Sequence, residues 1–261
     1  MKAATRYGVY AAVLYAIFLI ATLPAAVVAG HFRDQLPGGV QLLDVSGSVW
    51  SGQARSLVVN GREFRRLEWY LQPTGLFAGR AQYAVKFDNG NSLADGVIGR
   101  SITGKLVLRD VTARLVPAEF APLFNAEALG LSGVIEVALE RLDVAGGWIA
   151  AADGTVRWKQ AGAQAPRAVQ LGDLNASFET TAEGVKGTIA DGGGPLQGNG
   201  LLMLAPAGEY RFTGTLAARN PGDATLTQAL RMMGNPGPDG KINMSFNGTL
   251  PRLAGVSGND S

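Results

Sequence analysis

The sequence predicts a mainly β protein: a single N-terminal transmembrane helix, then a β-rich exported domain of mostly antiparallel strands with two short helices. The strands are expected to form a curved sheet or groove, arranged as two similar lobes. Three observations carry this reading. An apolar stretch without charge lies near the N-terminus, apolar and polar residues alternate through most of the rest, and Asp/Asn–Gly turn signals separate the alternating runs. At 261 residues, 47% of them hydrophobic, the chain can bury a sizeable core. Its 36 glycines follow no collagen-like period and so mark turns.

The span is "YGVYAAVLYAIFLIATLPAAVVA", Tyr7 to Ala29. As a helix it would be roughly 34 Å long, enough for a bilayer core of about 30 Å. Lys2 and Arg6 precede it, and Arg33 beyond it is answered at once by Asp34. The positive-inside bias leaves the N-terminus in the cytoplasm and exports the bulk of the chain. A cleaved signal peptide is the rival reading, but its apolar region usually runs only about 7–15 residues. Pro24 is expected to kink the span. Without Lys2, Arg6, Arg33 and Asp34, 20 basic and 20 acidic residues remain of the 23 and 21. A nucleic-acid partner would want a basic surplus, and none is there.

Beyond the span, period-two alternation marks strands around Leu67–Leu71, Ala81–Phe87, Ile135–Leu139, Tyr210–Leu216 and Ile242–Phe246. Turns are expected at Asp88-Asn89-Gly90-Asn91, Asp153-Gly154, Asp191-Gly192-Gly193-Gly194 and Asp239-Gly240. Strands with one apolar and one polar face suit an antiparallel sheet or a curved groove. Pro117–Leu129 and Pro221–Gly234 read as short amphipathic helices, each opening on Pro and ending at or beside Gly. At an offset of 107 residues, Gly47 meets Gly154 and Leu123 meets Leu230, while Ile135, Val137 and Leu139 meet Ile242, Met244 and Phe246. The expected organisation is therefore residues 1–6 in the cytoplasm, 7–29 the span and 30–39 a linker. Two β lobes follow at 40–145 and 146–250, then a flexible tail at 251–261.

"GSVWSGQARSLVVNG" (47–61) lacks the spacing of a nucleophile elbow and the Lys of a phosphate loop. It reads as a hairpin turning at Ser51-Gly52, with Asn60-Gly61 as the next turn and the Trp50 ring packed at the sheet edge. Arg55, Arg62, Arg65 and Arg66 read as a solvated sheet face. "DGGGPLQGNG" (191–200) has the glycines of a phosphate cradle but no following helix and no Lys. Asp88–Asn91 lacks the later Glu of a calcium loop, since position 99 is Gly. Cysteine is absent and His31 is the one histidine, which excludes disulfides, thiolate sites and Cys nucleophiles and disfavours a His triad or zinc site. Glu136, Glu140 and Asp143 are the carboxylates that could pair in space. No catalytic, cofactor-binding or metal-ligating residue is singled out, and no cofactor is expected.

Several pieces, in order along Val40 to Leu250, carry a family resemblance: "VSGSVWSGQARSL", "LEWYLQPTGLFAGRAQYAV", "GGGPLQGNGLLMLAPAGEYRFTGTLAARNPGDATLTQALRMMG" and "GKINMSFNGTL". With the N-terminal span, this arrangement resembles protein N of the bacterial type II secretion system, in the general secretory pathway family. The resemblance implies a single-pass inner-membrane protein with its bulk in the periplasm, serving protein secretion, and no enzymatic activity. It implies other type II secretion components as partners, met through sheet edges or strand addition. A second class stands beside it: a membrane-tethered β-groove module that binds or transfers lipid. In a packed core, Trp69, Tyr83 and Phe87 would face inward; in a groove they would line a channel. An exported enzyme acting on glycans through a carboxylate pair ranks last.

Overall fold

Alternation becomes strand from residue 41 onward. The computed structural model describes residues 14–15, 18–19, 22–31, 40–77, 79–101, 103–164 and 167–252. The chain divides after Leu71 into two units.

The first unit holds α1 (Ala25–His31), β1 (Gln41–Gly47), β2 (Ser51–Val59) and β3 (Arg62–Leu71). The three strands form an antiparallel meander. The expected span lies largely outside the described residues, at 7–13, 16–17 and 20–21. Where it is described, helical geometry ends at Thr22 and resumes at Ala25. Between them Pro24 makes an isolated antiparallel bridge to Ser48, and the Val49 N–H donates to the Leu23 carbonyl at 3.0 Å. Proline has no N–H to continue a helix and its ring crowds the preceding turn, so Pro24 is where the rod breaks. No helix among the described residues is long and apolar enough to cross a membrane.

The hairpin of β1 and β2 forms, but its turn comes earlier than Ser51-Gly52. Gly47 pairs with Gly52, and the Ser48 N–H donates to the Ser51 carbonyl at 2.8 Å, so Ser48–Trp50 make the turn. Gly52 belongs to β2 because its bare α-carbon lies under the Trp69 ring, where a Cβ would stand 2.6 Å from the ring. Asn60-Gly61 turns as expected, both at positive φ (50° and 77°), the twist that suits a two-residue hairpin.

The second unit is a longer antiparallel meander in which each strand pairs with the next in sequence. Its first strands are β4 (Arg80–Asp88), β5 (Leu93–Ser101) and β6 (Leu106–Leu115). Next come β7 (Ser132–Ala145), β8 (Trp148–Ala163), β9 (Val169–Thr181) and β10 (Gly184–Asp191). The last are β11 (Leu196–Leu204), β12 (Glu209–Ala218) and β13 (Ile242–Thr249). The turns at Asp88–Asn91, Asp191–Gly194 and Asp239–Gly240 are as expected. Asp153-Gly154 is not a turn: it lies inside β8, opposite a bulge where Glu140 of β7 has no partner between Leu139 and Arg141.

The helices are shorter than expected. Pro117–Leu129 divides into α3 (Pro117–Phe120) and 3-10 turns at Ala121–Phe124 and Glu127–Leu129, following the small α2 (Thr74–Phe77). Pro122 cannot carry the helix on, and Asn125 and Gly130 end the turns in left-handed conformation (φ 53° and 56°). The second helical segment forms as α4 (Ala224–Met233), its first turn capped by Asp223, whose Oδ1 accepts from the Leu226 N–H at 3.0 Å.

Register gathers most of the apolar residues of this unit on one face. Tyr83, Val85 and Phe87 stand opposite Ile98, Gly96 and Ala94. Leu108 stands opposite Ile98 and Leu142, while Val137 lies beside Ala113 and Val156. Phe178 meets Gly187, which meets Leu202, which meets Phe212, which meets Phe246. Two buried clusters lie on this face. One joins Leu226 and Leu230 of α4 to Leu196 and Ile242; the other joins Ala152, Val185 and Leu204. Elsewhere most of the face is only half-buried. Glycines on it take the rings of neighbouring strands: a Cβ on Gly200 would stand 2.7 Å from the Phe212 ring, and one on Gly187 3.1 Å from Phe178.

Candidate functional site

Two features of the second unit are open to a partner: a groove on the apolar face and the outer edge of the last strand. The groove lies over β4, β5 and β6, holds about 170 Å³, and is floored by Val85, Phe87, Gly96, Ile98, Leu108 and Val111. Ile98 is 38% exposed there. Phe120 of α3 stands 6.3 Å from Phe87, ring centre to ring centre. Glu119 next to it braces the loop between β4 and β5: its carboxylate accepts from Asn89 (2.9 Å), Asn91 (3.1 Å) and the buried Ser92 hydroxyl (2.6 Å). These asparagines serve the turn as donors to a carboxylate. Tyr83 and Phe87 thus lie half-buried along an open face, and burial raises the Tyr83 phenol above its ordinary range. Trp69 belongs to the first unit, over Gly52.

The edge is β13, "INMSFNGT". It pairs with β12 over its whole length, and among the described residues no strand pairs with its other side. It carries no charge and no proline. By contrast β1 carries a charge at Asp44, which has φ 52°, makes no ladder pair between Leu43 and Val45, and faces Arg55 at 3.5 Å. Bulges and edge charges discourage strand addition, and β13 has neither.

Two of the three carboxylates singled out in the sequence, Glu136 and Asp143, meet cations. Glu136 is 2.9 Å from Lys159, whose hydrogen bond lowers its pKa. Asp143 takes Arg109 at 2.6 Å and Arg141 at 2.7 Å. Burial pushes the Asp143 carboxyl up, but the bonds from Arg141 and Arg109 outweigh it and hold it below the usual carboxylate range. Glu140 is exposed at the β7 bulge. In 191–200 Asp191 already uses two glycine N–H groups: it accepts from Gly198 (3.0 Å) and Gly193 (3.2 Å) and pairs with Arg219. The bond from Gly198 leads in keeping the Asp191 carboxyl below its ordinary range. The loop therefore supplies its own anion. Among the described residues no group of three His, Asp or Glu is placed to hold a metal. Trp50 sits in the first hairpin turn, its carbonyl accepting from the Leu71 N–H at 2.6 Å. Arg55 lies on β2, and Arg62, Arg65 and Arg66 on β3.

The edge and the groove depend on strand pairing, which residue spacing within one strand does not reveal. The signal that was available is the lack of charge in 242–249 beside a strand-like alternation.

Fold and surface together define an antiparallel β-meander protein with one largely apolar sheet face and an uncharged last strand whose outer edge is unpaired among the described residues. The family model for Type II secretion system (T2SS), protein N matches residues 38–245, and the chain belongs to that family. A type II secretion system protein N of Aeromonas hydrophila is 27% identical over 244 residues, covering 91% of this chain and 95% of the relative. One of Vibrio cholerae serotype O1 is also 27% identical, over 95% of this chain and 98% of the relative. One of Klebsiella pneumoniae is 25% identical over 95% and 97%. No solved structure matches.

Proposed function

We propose that this family member is a non-enzymatic, single-pass component of the inner membrane, its N-terminus cytoplasmic and its β-rich bulk periplasmic. Residues 7–29 are its anchor, as their length without charge supports. Its lobes at 40–145 and 146–250 are a duplication, which the helical segments that precede β7 and β13, beginning at Pro117 and Ala224 and so at the same offset, support. It works by protein–protein contact within the secretion machine, taking a strand of another component onto β13.

The observation that carries this reading is the open edge of β13, eight residues without charge or proline. Backbone hydrogen bonds along such an edge supply affinity for an extended segment, and the alternating side chains supply choice. The test is complementation of a deletion strain by a variant with lysines at Ser245 and Asn247, both exposed on the polar face. Deletion should stop exoprotein release, and the lysine variant should restore little of it at normal protein level. Unchanged secretion on deletion, with no secretion component co-purifying, would overturn the proposal.

A further inference from the structure

The outer edge of β13 has a definite hydrogen-bonding register. Just past its last ladder pair, Glu209 with Thr249, the Leu250 N–H donates to the Gly208 carbonyl at 2.9 Å. Backbone groups alternate sides along an antiparallel strand, and the β12–β13 register runs without a shift. The even-numbered residues of β13 therefore bond to β12, while Asn243, Ser245, Asn247 and Thr249 turn their N–H and C=O groups outward. All four are exposed. On the apolar face the strand ends in Phe246, 54% exposed and stacked on Phe212 at 6.1 Å between ring centres. At its start Ile242 is buried with Leu226 and Leu230 of α4.

We propose that a second copy of this chain covers this edge, β13 pairing antiparallel with β13 about a two-fold axis through Ser245. The proposal rests on β13 being the edge that takes a secretion component, and adds a resting dimer which that component displaces. The strand is complementary to itself in this register. Ser245 faces Ser245 and Asn243 faces Asn247 twice, so outward backbone groups meet outward backbone groups along the whole pairing. Met244 faces Phe246 on both sides of the axis, giving the exposed ring a thioether neighbour. Gly248 faces Ile242 and leaves room for the α4 that covers it. With the axis moved to Phe246, Leu250 would face Ile242, but Leu250 is already held by Gly208 and the cluster around Leu204. No charge lies on β13, so none meets its like when the strand faces itself. An edge without charge, proline or bulge invites another chain, and a two-fold contact closes at two copies.

The chain has no cysteine, so each introduced thiol reports one position. Full-length Ser245→Cys in mild detergent is treated with a short bis-methanethiosulfonate, for which paired residues about 5.5 Å apart are within reach. Thr188→Cys, exposed on the polar face of β10, is the control. Covalent dimer at 245 should exceed that at 188 by about tenfold or more. Asn243→Cys and Asn247→Cys should crosslink poorly alone and efficiently when mixed. In native mass spectrometry the wild type should be dimeric, and the variant with Ser245→Lys and Asn247→Lys monomeric with an unchanged melting point. A monomeric wild type, or equal crosslinking at 245 and 188, overturns the dimer. A dimer that survives the lysines overturns the edge as its interface, and crosslinking of Phe246→Cys in place of Ser245→Cys overturns the register. Each of these failures leaves exoprotein release on deletion as a separate test of the secretion reading.

Discussion

Gly154 lies so close under β7 that a Cβ on it would stand 2.3 Å from the Ala138 carbonyl oxygen. Its φ of +143° is also a conformation L side chains rarely adopt. Gly154→Ala must therefore move one long strand away from another. We expect a loss of about 2–4 kcal/mol, from backbone strain and the broken pairing together. At about 2–4 °C per kcal/mol for a unit of this size, the melting point should fall measurably. Gly61→Ala, where nothing lies within 4 Å of the added carbon, should cost less. Equal melting points for the two variants would contradict the account.

The same glycine shows how far the sequence could be read. Asp-Gly is a turn signal, but Asp153 and Gly154 sit in a continuous strand because β7 bulges opposite them, a fact of the neighbouring strand. Alternation located β4, β7, β12 and β13 because one face of each is apolar whichever strand lies alongside. It also placed Tyr83, Val85 and Phe87 on one face without showing whether anything covers them. The hairpin turn slipped by a few residues because Gly52 serves as a floor for Trp69, a distant contact. Pairing of Glu136 with Lys159, and of Asp143 with Arg109 and Arg141, was equally out of reach, since cross-strand partners depend on register.

Asp143 should make the second unit sensitive to acid. Its folded carboxyl titrates below the ordinary value, so its contribution is complete above about pH 3.9 and is lost as pH falls through the lower folded value. At neutral pH Asp143→Asn should cost about 1–2 kcal/mol, because Arg109 and Arg141 lose their charged acceptor. Urea midpoints for wild type and variant should converge as the pH is lowered from neutrality toward 3. A constant gap across that range would show that the carboxylate charge contributes nothing.

Glu119 is the acceptor on which the β4–β5 loop rests. In Glu119→Ala the Ser92 hydroxyl, wholly buried and also accepting from the Val116 N–H at 2.9 Å, loses its own acceptor. A buried donor left unsatisfied costs about 1–3 kcal/mol, and two asparagine amides are released with it. Amide exchange in residues 88–92 should quicken well beyond that in β9 or β10. Unchanged exchange in the loop would mean that the turn geometry of Asp88, whose Oδ1 accepts from the Gly90 N–H at 2.8 Å, suffices alone.

α4 secures one end of the apolar face through Leu226 and Leu230, which are 1% and 6% exposed. They pack with Leu196 and Ile242, so the helix ties β11 to β13 across the end of β12. Leu226→Ala leaves a cavity and should cost about 2–5 kcal/mol. Asp223→Ala removes the cap on the same helix and should cost about 1 kcal/mol. Because α4 bears on one end of the sheet, both changes should speed amide exchange in β13 more than in β4–β6. Loosening confined to α4, with β13 as protected as before, would mean the helix lies on the sheet without holding its last strand.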